Sequence, residues 1–114
     1  MISTVTSNQI YQKCIDMCFE CAQACEFCAT SCLNEPDPKT MERCIKLDRD
    51  CADICTISAQ YMARDSEFSI EICSVCAKIC RACGTECAKF PQEHCKNCED
   101  ICNRCATECE NMAR

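Results

Sequence analysis

Cysteine is the residue type in this chain whose side chains could bind metals or react, and its spacing is regular. Residues 14–32, CIDMCFECAQACEFCATSC, hold six cysteines at steps of four, three, four, three and four residues. Steps of this size place side chains on one face of an α-helix. The 19 cysteines among 114 residues form four such groups: Cys14, Cys18, Cys21, Cys25, Cys28 and Cys32; Cys44, Cys51 and Cys55; Cys73, Cys76, Cys80, Cys83 and Cys87; Cys95, Cys98, Cys102, Cys105 and Cys109.

Polar and proline-containing breaks separate the four groups and indicate helix ends. We expect Asp37 to cap the second helix, Asp65 or Ser66 to cap the third, and Pro91 to stand at the start of the fourth. The predicted helices span roughly 6–33, 38–63, 67–89 and 92–112. Short connections make consecutive helices antiparallel neighbours. The sequence thus predicts an all-α, antiparallel up-down four-helix bundle with a cysteine-lined core, as a single domain over residues 1–114.

Charge and hydropathy limit the partners of the chain. A net charge of −6 argues against nucleic acid, because an acidic surface repels phosphates. No apolar run approaches the length of a membrane span. The N-terminal segment has neither the basic nor the apolar region of a secretory signal. We therefore expect a cytoplasmic protein whose thiols stay reduced.

Packing alone and disulfide bonding both explain the cysteines poorly. Leu or Ile at the same positions would bury more apolar area and stabilise the core more. Cβ atoms three or four residues apart on a helix are about 5–6 Å from each other, whereas a disulfide needs about 3.8 Å. Bridges between helices remain open, but an odd number of cysteines would leave one unpaired.

A metal site explains the pattern better, and charge selects the metal. Four thiolates around Zn²⁺ leave a net charge of −2, and repeating that in a dry core is very costly. No cysteine is followed by proline, as in a typical ferredoxin run. Cu(I) is monovalent and soft, prefers thiolates, and accepts two ligands in a line. One Cu(I) per thiolate is neutral, which predicts on the order of 15–20 coppers per chain.

A few other residues interrupt or extend the cysteine stripe. His94 precedes Cys95, and its imidazole is a candidate copper ligand at one mouth of the bundle. We hypothesise that this end admits copper, while Tyr11, Met62 and Met112 close the other end. Asp48 and Ser58 occupy stripe positions in the second helix, where we expect Asp48 to hydrogen-bond a thiol rather than to bind copper.

The helical C-x₃-C-x₂-C-x₃-C runs and the stretch HCKNCEDICNRCATEC resemble the cytosolic copper storage proteins. That resemblance implies a fold that forms without metal, a homotetramer of bundles, and many Cu(I) ions stored within each monomer by a protein that is not an enzyme. It extends the ligand role over the long cysteine runs, and we predict all 19 cysteines and His94 as metal ligands. A copper chaperone or a small-thiol copper complex is the expected donor.

Two rival functions remain open from the sequence. The first is a zinc or mixed-metal thiolate buffer of the metallothionein type. The second is a thiol redox enzyme using Cys95 and Cys98, which form a Cys-x-x-Cys pair near a helix start. The same spacing recurs along the chain, which weakens the second alternative. Positions beside the cysteine stripes, such as Phe19, Phe27, Ile57 and Ile79, could cover an interface or pack locally.

Overall fold

The computed structural model describes the backbone of residues 2–113 and the side chains of residues 9–113. It contains four α-helices: α1 (Ile2–Leu33), α2 (Glu42–Ala63), α3 (Ser69–Cys87) and α4 (Glu93–Met112), with a 3₁₀ turn at Pro38–Met41 before α2. Each helix packs against its neighbours in sequence, and α1 also packs against α4. This is the predicted antiparallel four-helix bundle, and it measures 53 × 20 × 18 Å.

The cysteine stripe of every helix faces the interior of the bundle. All 19 cysteines are buried and none forms a disulfide. Alanines such as Ala52, Ala59, Ala77 and Ala106 lie beside the stripes and are also buried. These small side chains let the helices approach closely around a core of small thiols. The charged residues lie mainly on the outer faces, where several form ion pairs between helices or along one helix.

The helix ends differ in detail from the sequence expectations. Asp37 precedes the 3₁₀ turn, but its side chain makes no capping bond. Asp65, with φ of 55°, ends α2 rather than capping α3, because the Asp65 and Ser66 amides donate to the Met62 and Tyr61 carbonyls in a Schellman arrangement. The Ser66 hydroxyl accepts from the Phe68 amide just before α3. Gln92, not Pro91, immediately precedes α4.

Helices α3 and α4 are held together by two features on their outer side. Arg81 of α3 donates to the Glu110 carboxylate and to the Thr107 hydroxyl of α4. Gly84 lies directly against Asn103 of α4, where an added Cβ would come within 2.7 Å of the Asn103 Oδ1. The glycine thus permits a close approach of the two helices. Among the described helices, none has the length and apolar character needed to cross a bilayer.

Candidate metal centre

The thiols form a continuous column along the bundle axis. Sulfur atoms meet between neighbouring helices, at 3.6 Å for Cys25 and Cys102 and 3.6 Å for Cys51 and Cys80. They also meet across the diagonal, at 3.9 Å for Cys55 and Cys105. A disulfide bond would bring two sulfurs to about 2.05 Å, so these are contacts between reduced thiols. The structure thus brings the predicted ligands of all four helices together.

Many of these thiols converge in groups whose sulfur atoms lie within 4.8 Å of one another and could hold a metal ion. They include Cys18, Cys76, Cys105 and Cys109; Cys21, Cys55, Cys80 and Cys105; Cys21, Cys25, Cys51 and Cys102; and Cys25, Cys83, Cys98 and Cys102. Consecutive groups share Cys105, then Cys21, then the pair Cys25 and Cys102. A shared sulfur can bridge two metal ions, so the groups form one connected site.

Asp48 interrupts the column and is surrounded by thiols. Its Oδ1 accepts hydrogen bonds from Cys83 at 3.1 Å and Cys98 at 3.3 Å, and from Cys87 at 3.6 Å. Burial raises the pKa of the Asp48 carboxyl to about 11, with further contributions from neighbouring thiolates, led by Cys98 and Cys83. The carboxyl is therefore protonated at neutral pH in the metal-free protein. The expected hydrogen bond between Asp48 and a thiol is present.

His94 lies at the opposite end of the column from Tyr11. Its Nδ1 is 3.5 Å from the Cys28 sulfur and 3.6 Å from the Cys95 sulfur, and Cys32 completes a four-residue group with them. Its Nε2 lies 2.9 Å from Glu35 Oε2. A carboxylate can only accept, so Nε2 carries a proton and the other nitrogen faces the thiols. Sequence reasoning missed Glu35, which lies in the polar turn after α1 and has no spacing signal.

Two thiols at the His94 end, Cys95 and Cys32, hold their protons more strongly than a free cysteine does. Burial raises the pKa of Cys95 to about 11 and raises the pKa of Cys32 in the same direction. A soft cation that binds here must displace a proton from sulfur. The imidazole nitrogen of His94 requires no such exchange while it is neutral, which distinguishes it from its neighbours.

The far end of the column ends in a mixed group of thiols and a thioether. The Cys14 and Cys109 sulfurs are 3.7 Å apart, and the Cys73 thiol donates to the Met62 sulfur at 3.6 Å. Met62 is fully buried, consistent with its expected place at the closed end. Ser58 occupies a buried stripe position, and its hydroxyl has no hydrogen-bond partner in the described part of the chain.

Comparisons with known proteins identify relatives of this chain. The chain is 49% identical over 82 residues to the cysteine-rich protein YhjQ of Bacillus subtilis (strain 168), covering 72% of this chain and 76% of YhjQ. Among solved structures, the Cu(I)-bound copper storage protein BsCsp3 of Bacillus subtilis superposes with a TM-score of 0.89 at 46% identity, covering 92% of this chain and 99% of that one. A cytosolic copper storage protein from Streptomyces lividans, solved with five coppers, has a TM-score of 0.90 at 36% identity, covering 95% of each chain.

The sequence profile described as copper storage protein matches residues 7–114. That match spans all four cysteine stripes and the His94 group. The chain therefore belongs to the copper storage protein family.

Proposed function

We propose that this protein stores Cu(I) in the cytoplasm by binding many ions along its thiol column, and that it catalyses no reaction. The observation that carries the proposal is the connected set of buried, reduced thiols, in which successive four-sulfur groups share members. A connected set of similar sites provides capacity. A protein that only hands copper to a partner needs one accessible pair of ligands.

The charge of the column favours Cu(I) over Zn²⁺. Zinc bound by more than two thiolates per ion leaves negative charge that must be compensated by nearby cations. The buried polar and charged residues of the described chain are Asp48, Ser58, Ser69 and Glu86, and none of them is a lysine or arginine. One Cu(I) per thiolate leaves no excess charge and needs no such compensation.

The relatives support the same cargo. BsCsp3 has been solved with Cu(I) bound, and the Streptomyces lividans protein has been solved with five coppers and with ten copper equivalents. We extend this cargo to the present chain, with all 19 cysteines and His94 as ligands and residues 1–114 as one copper-binding domain. We expect roughly one copper per cysteine.

The assembly and the donor are the remaining parts of the proposal. We propose a homotetramer of bundles that receives Cu(I) from a copper chaperone or a small-thiol complex. Phe19 and Phe27 of α1 are 49% and 64% exposed and are available to cover an interface, whereas Ile79 packs against the core. Sedimentation velocity of the metal-free protein tests the tetramer, and a monomer at micromolar concentration would contradict it.

Anaerobic titration of the reduced protein with Cu(I), followed by native mass spectrometry, tests the stored cargo. Saturation near one copper per thiol is expected. Saturation with a handful of Zn²⁺, together with only a few Cu(I), would instead support a zinc thiolate buffer. The redox alternative is disfavoured because Cys95 and Cys98 are both fully buried, whereas a reactive thiol must be accessible.

A further inference from the structure

The end of the column opposite His94 contains a thioether sulfur as well as thiols. Met62 near the end of α2 is 0% exposed, as is Cys73 near the start of α3. The Cys73 thiol donates a hydrogen bond to the Met62 sulfur at 3.6 Å. If Met62 served only to close the end of the bundle, apolar contacts would be enough. A thiol that donates to its sulfur would not be needed.

The Cys73 thiol in turn lies beside further thiols at the same end. Cys73 interacts with Cys109 and with Cys14, and the sulfurs of Cys14 and Cys109 are 3.7 Å apart. Three thiols and one thioether therefore converge here. The opposite end is built in a similar way, since three thiols meet a ring nitrogen of His94. Each end of the thiol column thus includes a potential ligand atom that does not belong to a cysteine.

Two buried hydroxyls, those of Ser58 and Ser69, lie near the same end and have no hydrogen-bond partner within the described part of the chain. Ser58 precedes Met62 by four residues, and Ser69 precedes Cys73 by four, so each hydroxyl lies one helical turn from one of the two sulfurs. A buried hydroxyl without a partner is costly, and a thiolate formed nearby would supply an acceptor.

We propose that Met62 is a copper ligand, which together with Cys73 forms a thiolate–thioether site for one Cu(I) at the end of the column opposite His94. Thiolate and thioether sulfur are both soft ligands that select Cu(I). The ion takes the place of the proton that now joins the two sulfurs, and that proton leaves to solvent, so one positive charge replaces another. The thioether completes the coordination without adding an anion to a buried position. This inference rests on the proposed storage of Cu(I).

Selenium absorption spectroscopy of the selenomethionine-labelled, Cu(I)-loaded protein tests the site, with Met62→Leu as the variant and Met41→Leu as its matched control. Met41 is 2% exposed and lies at the His94 end. Leu replaces Met at small cost in stability, and circular dichroism of each metal-free variant verifies the fold. We expect a copper–selenium distance in the wild type and in Met41→Leu, and its loss in Met62→Leu.

The loaded variants should also differ in copper content. In the presence of a competing Cu(I) chelator, Met62→Leu should retain about one copper fewer than Met41→Leu, because a site lacking the thioether binds its ion more weakly. A fully loaded wild type without a copper–selenium contact, or one whose contact persists in Met62→Leu, would overturn the Met62 site alone. A wild type that takes up almost no Cu(I) would refute the storage function itself.

Discussion

Asp48 places an ionisable carboxyl among the thiols of the core. Its carboxyl is fully buried and holds its proton up to a pKa of about 11, chiefly because burial disfavours the charge. In the unfolded chain an aspartate loses that proton near pH 4. Between these two values the folded state binds one proton more than the unfolded state, so this residue makes stability fall as pH rises.

The variant Asp48→Asn should remove that dependence. The amide keeps the size and polarity of the side chain but cannot ionise. Between pH 5 and 9 the free energy of unfolding of the wild type should fall more steeply than that of the variant, by up to about 1.4 kcal/mol per pH unit. Denaturant unfolding of both reduced, metal-free proteins at several pH values measures the difference. The thiols titrate in both proteins, so parallel curves would contradict the assignment.

His94 should govern how fast copper enters the column more than how much it holds. Its Nδ1 faces Cys28 and Cys95, and a neutral imidazole can capture Cu(I) without first losing a proton. In His94→Ala we expect severalfold slower initial uptake from a small-thiol copper complex and nearly the same final content. Stopped-flow absorbance in the thiolate–copper band measures both quantities.

A second substitution distinguishes the effect of the imidazole ring on copper uptake from the effect of the orientation of that ring. Glu35→Gln keeps the ring but weakens the hydrogen bond that holds Nε2, so its effect on uptake should be smaller than that of His94→Ala. Groups that orient a metal ligand still influence binding. Equal rates of uptake and removal in the wild type and in His94→Ala would reject a gating role for this end.

The candidate ligands that lie on the helical cysteine stripes were predictable from the spacing of the cysteines in the sequence. Every cysteine of the 3,4 pattern faces the interior, and Asp48 and Ser58 share that burial because helical periodicity places them there. Glu35 was not predictable, since it belongs to a turn and meets His94 only after α1 and α4 pack together. Met62 follows Cys55 by seven residues and continues the same stripe, so its place at the end opposite His94 was predictable. Its direct contact with Cys73 was not, because that contact depends on how α2 and α3 pack.

At the scale of the helices, the periodic segments were predictable and their ends were not. The residues expected to cap α2 and α3 make other bonds, because a cap depends on the path of the loop as well as on residue type. Asp65 adopts a left-handed conformation that ends α2, a position at which glycine is commoner. Gly84 instead lies within α3, where its role comes from packing against α4.

The contact of Gly84 with Asn103 yields a prediction about the pairing of α3 and α4. Alanine is a better helix former than glycine by about 1 kcal/mol. In the wild-type background that gain should be lost, because the new Cβ would lie 2.7 Å from Asn103 Oδ1. In an Asn103→Ala background, Gly84→Ala should raise the free energy of unfolding by about 0.5–1 kcal/mol. A double-mutant cycle in urea measures the coupling, and additive effects would show that the close approach imposes no strain.

At the scale of the whole molecule, we expect the fold and the cargo to be separable. The packing of the four helices on one another buries all 19 cysteines. Small zinc domains behave differently, because their metal supplies the free energy of folding. The thiols nevertheless pack with less apolar area than Leu or Ile would. We therefore expect a metal-free bundle that is folded but less stable than its loaded form.

Loading the protein with Cu(I) should raise its stability without changing its helix content. Each ion that binds the folded state and not the unfolded state stabilises by about 2.7 kcal/mol at a free concentration of 100 times its dissociation constant. Far-ultraviolet circular dichroism should be the same before and after loading, while the melting temperature rises with each increment of copper. About one proton per bound Cu(I) should be released, because a thiol must lose its proton to bind the ion as a thiolate. Zn²⁺ is the matched control, and it should saturate at fewer ions because its thiolate clusters leave uncompensated charge in the core. Helix content that grows with added Cu(I) would mean that metal is needed to form the bundle, and would contradict a preformed column.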